Sequence, residues 1–143
     1  MTSDEELRLR HLDHIQGIIT RLAQNSFTVR GWSVSLVSVV LAVLSTQDSS
    51  AGLAPIALVP ALVFWGLDAY YLRGERLYRQ LYRAVANRIV AGPGAPDVSP
   101  FDMDLGRYTA TVPTFARTLL TLNVLTIPAL LVVGVATYRL ATW

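Results

Sequence analysis

Cysteine is absent from this chain, which excludes disulfides, zinc thiolates and cysteine nucleophiles. Lysine is absent too: all 12 basic residues are arginine, a planar fork suited to carboxylates and phosphates. Charge of either sign is scarce, at 15% of residues, where an ordinary soluble domain carries about a quarter. In its place stand 52% apolar residues and a mean hydropathy of +0.43, a balance that leans toward lipid. No Ser-His-Asp order, glycine-rich phosphate loop or paired-carboxylate site is present, so neither enzymatic activity nor a cofactor is expected. The 143 residues have room for one domain. The start, Thr2-Ser3-Asp4-Glu5-Glu6, is acidic where a signal peptide opens basic, and the first apolar run begins near Gly31. A cleavable signal is therefore not expected, and that run should remain as a membrane span.

Ser3 and Glu6 fit a capping box, with Asp4 and Glu5 well placed for the helix dipole. No proline then interrupts the chain before the turn around 45–52, which predicts one helix from about Asp4 to Ser45. At ~1.5 Å per residue it is about 60 Å long, twice the ~30 Å hydrocarbon core. Residues 4–28 should project from the membrane and 29–45 should cross it. A second span is expected over 52–72, kinked near its start by Pro55 and Pro60, and it should continue as an arginine-rich helix over 73–91. Gly92-Pro93-Gly94-Ala95-Pro96 should end it, 92–116 reads as a loop, and 117–138 as the third span. The expectation is an all-α integral membrane protein with three transmembrane helices, the first two extended into the cytoplasm, forming a symmetric homo-oligomer.

Arginine placement sets the orientation. Arg8, Arg10, Arg21 and Arg30 precede the first span, none lies between the first and second, and a second group runs from Arg73 to Arg117. The positive-inside rule puts the N-terminus and the long middle loop in the cytoplasm and the C-terminus outside. Trp32, Trp65, Tyr70 and Tyr71 then mark one interface, Tyr138 and Trp143 the other.

Two stripes run along the first helix. Leu12, Ile15, Ile19 and Leu22 recur at spacings of 3, 4 and 3, an a/d seam that suits either a partner helix of the same chain or a second copy. The other stripe takes in Arg10, His14, Gly17, Arg21, Gln24, Thr28, Gly31, Ser35, Ser38, Ala42 and Ser45, every one polar, charged or small. Close packing between helices explains the small residues. A pore explains the whole stripe, with Thr28, Gly31, Ser35, Ser38, Ala42 and Ser45 lining a water-filled axis and Arg10, His14, Arg21 and Gln24 forming a basic mouth. Both readings stay open here, and the pore requires an oligomer.

Arg73, Arg76, Arg79 and Arg83 share one broad helical face, interleaved with Tyr71, Tyr78 and Tyr82. Anchoring at anionic headgroups explains them, and so does a phosphate-rich ligand such as a nucleotide or single-stranded nucleic acid. Asp68 is expected to form an ion pair with Arg30, at similar depth in the membrane. Asn123 and Thr126 are expected to hydrogen-bond between helices. His11 and His14, three apart without a third ligand, read as a solvated face rather than a metal site. Asp102 and Asp104 lie in a loop without an identifiable partner.

Four segments carry a resemblance. The patterns are H-x-x-x-I-Q-x-I-I-x-R-(L/M)-A-x-N-S-F, G-W-S-V, F-W-x-L-D-x-Y-(F/Y)-L-x-x-E-R-(L/F)-(Y/F)-R-x-L-Y and F-x-M-(D/N). They fall on His11 to Phe27, Gly31 to Val34, Phe64 to Tyr82, and Phe101 to Asp104. With these, the chain resembles a family of small bacterial membrane proteins, similar to the membrane effectors of two-gene antiphage systems of the Hailong type. The resemblance spans most of the chain to residue 104, and the third span matches only by hydropathy. It implies a homotetrameric ion channel of the bacterial inner membrane, held closed by single-stranded DNA oligomers and accompanied by a nucleotidyltransferase. Arg10, His14, Arg21 and the face from Arg73 to Arg83 are the residues that would meet such a ligand. The competing expectations are a non-conducting anchor that recruits a cytoplasmic partner and a small transporter, for which Asp68 and Asn123 supply little midplane polarity.

Overall fold

The computed structural model describes residues 3–46 and 55–141, and within them the chain is helical, with no strand. Helix α1 spans Ser3–Ser45 and opens on Asp4, Glu5 and Glu6, which complement the positive end of the helix dipole. Helix α2 spans Leu58–Ala91, a short α3 spans Phe115–Leu119, and α4 spans Leu122–Ala141. Three of these, α1, α2 and α4, are long and apolar enough to cross a membrane. The turn expected near 45–52, the start of the second span at 52–54 and Trp143 lie outside the described residues.

Helices α1 and α2 form a long antiparallel pair. Ile15 and Ile19 pack with Leu81 and Val85 at the arginine-rich end. Leu22 sits against Gly74, where an added Cβ would meet its Cδ1 at 3.5 Å. Val37 packs with Ala57, Ala61 and Val135 at the apolar end. The a/d seam thus lies within one chain: Ile15 and Ile19 are buried, Leu12 and Leu22 half-buried. Full burial of an aliphatic side chain of this size contributes about 1.5–3 kcal/mol, enough to hold the arginine-rich halves of the two helices together. At the apolar end small residues do the equivalent work, since Ala57 and Ala61 let the helices approach closely.

Pro60 does not interrupt α2. It lies in the first turn of α2, where backbone N–H groups have no intrahelical acceptor and proline removes nothing. Pro55 belongs to the 3-10 turn that leads into α2. The third span, expected as one helix over 117–138, is instead broken at Leu120–Thr121. Thr118 and Thr121 turn their hydroxyls back onto the carbonyls of Thr114 and Thr118, which competes with helix propagation. The Thr121 carbonyl then accepts from the amides of Val124 and Leu125 and starts α4.

Between α2 and α3 the chain crosses the arginine-rich end as a strap. Val98 is buried against the Ile15–Leu81 cluster, with Met103, Leu105 and Tyr108 packed beside it. Ser99 to Asp102 form a turn closed by the Asp102 amide on the Ser99 carbonyl, with Pro100 second and Phe101 third at φ 64°. A left-handed third position suits a type II turn but costs a non-glycine residue about 1 kcal/mol or more.

Candidate functional site

Helical geometry gives α1 two opposed faces. Its buried residues, from Arg8, His11, Ile15 and Ile19 to Ser33, Val37 and Leu44, cluster on one side, toward α2. At ~100° per residue the polar stripe lies about 180° from them. Every member of the stripe, from Arg10 to Ser45, is exposed. Cβ atoms added at Gly17 or Gly31 would meet nothing within 4 Å. Close helix packing inside the chain is therefore not what the small residues serve. In the apolar half, Trp32, Val34, Leu36, Val39 and Val43 are exposed on either side of the stripe. Ser35 and Ser38 make no hydrogen bond among the described residues. Bare hydroxyls facing hydrocarbon are costly, whereas the same groups facing water or a second subunit are satisfied.

Toward the arginine-rich end the stripe opens onto a groove of about 720 Å³. Gln24 and Thr28 of α1 line it, and Arg79 of α2 reaches its edge. His14 and Arg21 are exposed. Arg10 lies 2.8 Å from Glu6 one turn earlier, so part of its charge is already answered.

The structure brings Arg30 and Asp68 together. Arg30 Nε donates to Asp68 Oδ2 at 2.8 Å, and Ser26 Oγ donates to Oδ1. Asp68 is 3% exposed, so the carboxylate is enclosed with both oxygens satisfied. This triad ties α1 to α2 where the arginine-rich half meets the apolar half.

The face from Arg73 to Arg83 does not join Arg10, His14 and Arg21 in one site. Arg73 Nε donates to the Pro113 carbonyl at 3.3 Å, and Arg79 pairs with Glu75 at 2.6 Å. Arg76 faces Pro113 and Arg117 across a cleft that Arg79 and Arg83 also line, and Arg83 also borders a groove against Gln16 and Ile19 of α1. The basic residues thus form two surfaces, with Arg79 and Arg83 between them.

Several residues behave otherwise than the sequence suggests. His11 is fully buried rather than solvated, under Phe101, with ring centroids 5.7 Å apart. Neither ring nitrogen has a hydrogen-bond partner among the described residues. Burial pushes this imidazole below its ordinary value of 6.5; His14 and Arg8 act the same way, and Asp102 opposes them. His14 alone keeps the solvated position. Asp102 and Asp104 do have partners: Asp102 accepts from the Asp104 amide and pairs with Arg107 at 3.2 Å, and Asp104 accepts from the Gly106 amide. Among the described residues, Asn123 and Thr126 form no interhelical bond. Thr126 donates to the Leu122 carbonyl of its own helix, and exposed Asn123 has no partner among the described residues. Both border a groove between α1 and α4, with Phe27 and Gly31 across from them.

Arg8 drew no expectation beyond its charge, yet it tethers the strap from α1, as Arg88 does from α2 through Asp97 at 3.2 Å. Arg8 donates to the Val98 carbonyl at 2.7 Å and to Asp97 at 3.3 Å, while Asp4 steadies it at 3.1 Å. The one sequence signal was its spacing, three and seven residues before His11 and Ile15 on the seam face.

Comparison with known protein families, with curated proteins and with solved structures finds no match for this chain.

Proposed function

We propose that this chain is the subunit of an oligomeric ion channel, with the outward stripe of α1 turned toward a shared aqueous axis. One observation carries the reading: a face polar or small over eleven heptad-spaced positions is wholly exposed and opposite the face that packs on α2. A single copy cannot enclose a path, because α1, α2 and α4 leave that face open. Several copies around an axis would cover it, with Thr28, Gly31, Ser35, Ser38, Ala42 and Ser45 lining the membrane part. Exposed Asn123, in the first turn of α4, supports a further contact between copies.

The distribution of arginine supports a cytoplasmic mouth, formed by Arg21, His14 and the Gln24 groove with Arg79 at its rim. The resemblance to Hailong-type effectors adds a tetramer, closure by single-stranded DNA oligomers and depolarisation of the bacterial inner membrane upon release. The test is conductance of purified protein in planar bilayers. Ser35→Leu or Ser38→Leu should cut unitary current at least severalfold, and unchanged current would remove the proposed lining. Mass in mild detergent should report a closed homo-oligomer, whereas a monomer would favour the non-conducting anchor.

A further inference from the structure

The second basic surface has its own geometry. Arg76, Arg79 and Arg83 of α2 and Arg117 of α3 line a cleft of about 460 Å³, closed on one side by Val112 and Pro113. Glu75 answers only Arg79. No carboxylate among the described residues lies within 4.0 Å of Arg76, Arg83 or Arg117. Like charges gathered in one concavity repel, and the arrangement is relieved by an anion bound among them. Guanidinium forks match phosphate oxygens in pairs, which favours a phosphate over a halide.

What flanks the cleft narrows the ligand. Phe115, Leu120 and Leu122 stand exposed beside Arg117, at 43%, 67% and 79%. They continue into the apolar surface of α4, where Leu130 and Val133 are also exposed. Arg117 is five residues before Leu122, the first residue of a helix long and apolar enough to cross a membrane. The Trp65 indole donates to the Leu119 carbonyl at 3.1 Å and fixes α3 at that level; tryptophan belongs at the headgroup boundary. A free phosphate compound would use the arginines and leave the apolar border idle. A phospholipid uses both.

We propose that this cleft is a binding site for the phosphate headgroup of an anionic phospholipid, held by Arg76, Arg83 and Arg117, with its acyl chains on Leu120, Leu122 and α4. Basic pockets between transmembrane helices bind doubly charged headgroups in this manner. The site needs the chain to sit in a membrane but not to conduct, so failure of the channel reading leaves it standing.

The experiment is native mass spectrometry of the full-length protein in detergent, titrated with cardiolipin, phosphatidylglycerol or phosphatidylcholine. Cardiolipin should bind tightest and phosphatidylcholine weakest. Arg117→Gln or Arg83→Gln, both at exposed positions, should each weaken cardiolipin about fivefold, and the triple variant with Arg76→Gln roughly a hundredfold. Arg107→Gln, paired outside the cleft, should leave binding unchanged and serves as the folded control. Equal affinity for cardiolipin and phosphatidylcholine would overturn the proposal, as would unaltered binding in Arg83→Gln and Arg117→Gln. Competition arms separate the sources: inorganic phosphate or a short single-stranded DNA displacing cardiolipin at micromolar concentration would assign the cleft to a soluble ligand instead.

Discussion

Arg30 and Asp68 meet across α1 and α2, 2.8 Å apart, with Ser26 on the second carboxylate oxygen. Removing one partner of a buried pair strands the other, at a cost of about 3–5 kcal/mol. Arg30 is 31% exposed, so Asp68→Ala should fall at the low end of that range. Asp68→Asn keeps an acceptor for Ser26 and should lose less. Thermal unfolding in detergent reads both, and a wild-type transition in Asp68→Ala would contradict the role given to the pair.

Arg8 should matter more than its place near the start of α1 suggests. Arg8→Ala removes the bonds to Val98 and Asp97 and bares the buried Val98 carbonyl. A hydrogen bond from a charged donor contributes about 1.5–3 kcal/mol. Backbone amides of the 97–108 strap should then exchange at least tenfold faster, with the α1–α2 amides near Leu22 unaffected. Equal exchange in both proteins would show that the Arg88–Asp97 pair and the apolar contacts hold the strap without Arg8.

His11 gives that end of the molecule a pH dependence of known sign. Burial lowers its folded pKa below 6.5, so the unfolded form takes up a proton first as pH falls. Its contribution is complete above about pH 6.5 and is lost as pH drops toward the lowered folded value. Melting temperature should therefore decline between pH 7.5 and 5.5, and His11→Leu should flatten that part of the decline. A slope unchanged by the substitution would place the dependence on other groups.

The sequence made the long helices and the seam residues legible because both rest on periodicity, while leaving open whether the seam met α2 or a second copy. Leu12, Ile15, Ile19 and Leu22 face inward for the reason their spacing implies, and Arg30 met Asp68 because each is a lone charge at one depth. What escaped notice depends on contacts without a period. His11 is buried by Phe101, 90 positions away on an irregular strap, and a helical wheel carries no trace of it. The break before α4 falls at Leu120–Thr121 inside an apolar run, where hydropathy registers nothing, and the Thr118 and Thr121 hydroxyls bond backward there. The basic cleft needed Arg117, placed beside α2 by the Trp65 bond to Leu119.

Asn123 separates folding from assembly. It makes no hydrogen bond among the described residues, so Asn123→Leu should leave the unfolding transition of the subunit within about 0.5 kcal/mol, as for a surface change. The fraction of protein migrating as oligomer at low concentration in detergent should fall. An unchanged oligomer would remove Asn123 from the subunit contact.

The chain's lack of cysteine makes the central claim directly measurable, since one introduced thiol is the only thiol. Ser38 is exposed on the stripe, and Ser33 is buried on the face toward α2. Currents through Ser38→Cys and Ser33→Cys channels should be recorded in planar bilayers while a charged, membrane-impermeant thiosulfonate is added. The account predicts that the reagent cuts Ser38→Cys current by more than half and leaves Ser33→Cys current unchanged. Ser38→Cys current that persists at full amplitude, or block of Ser33→Cys alone, would contradict it.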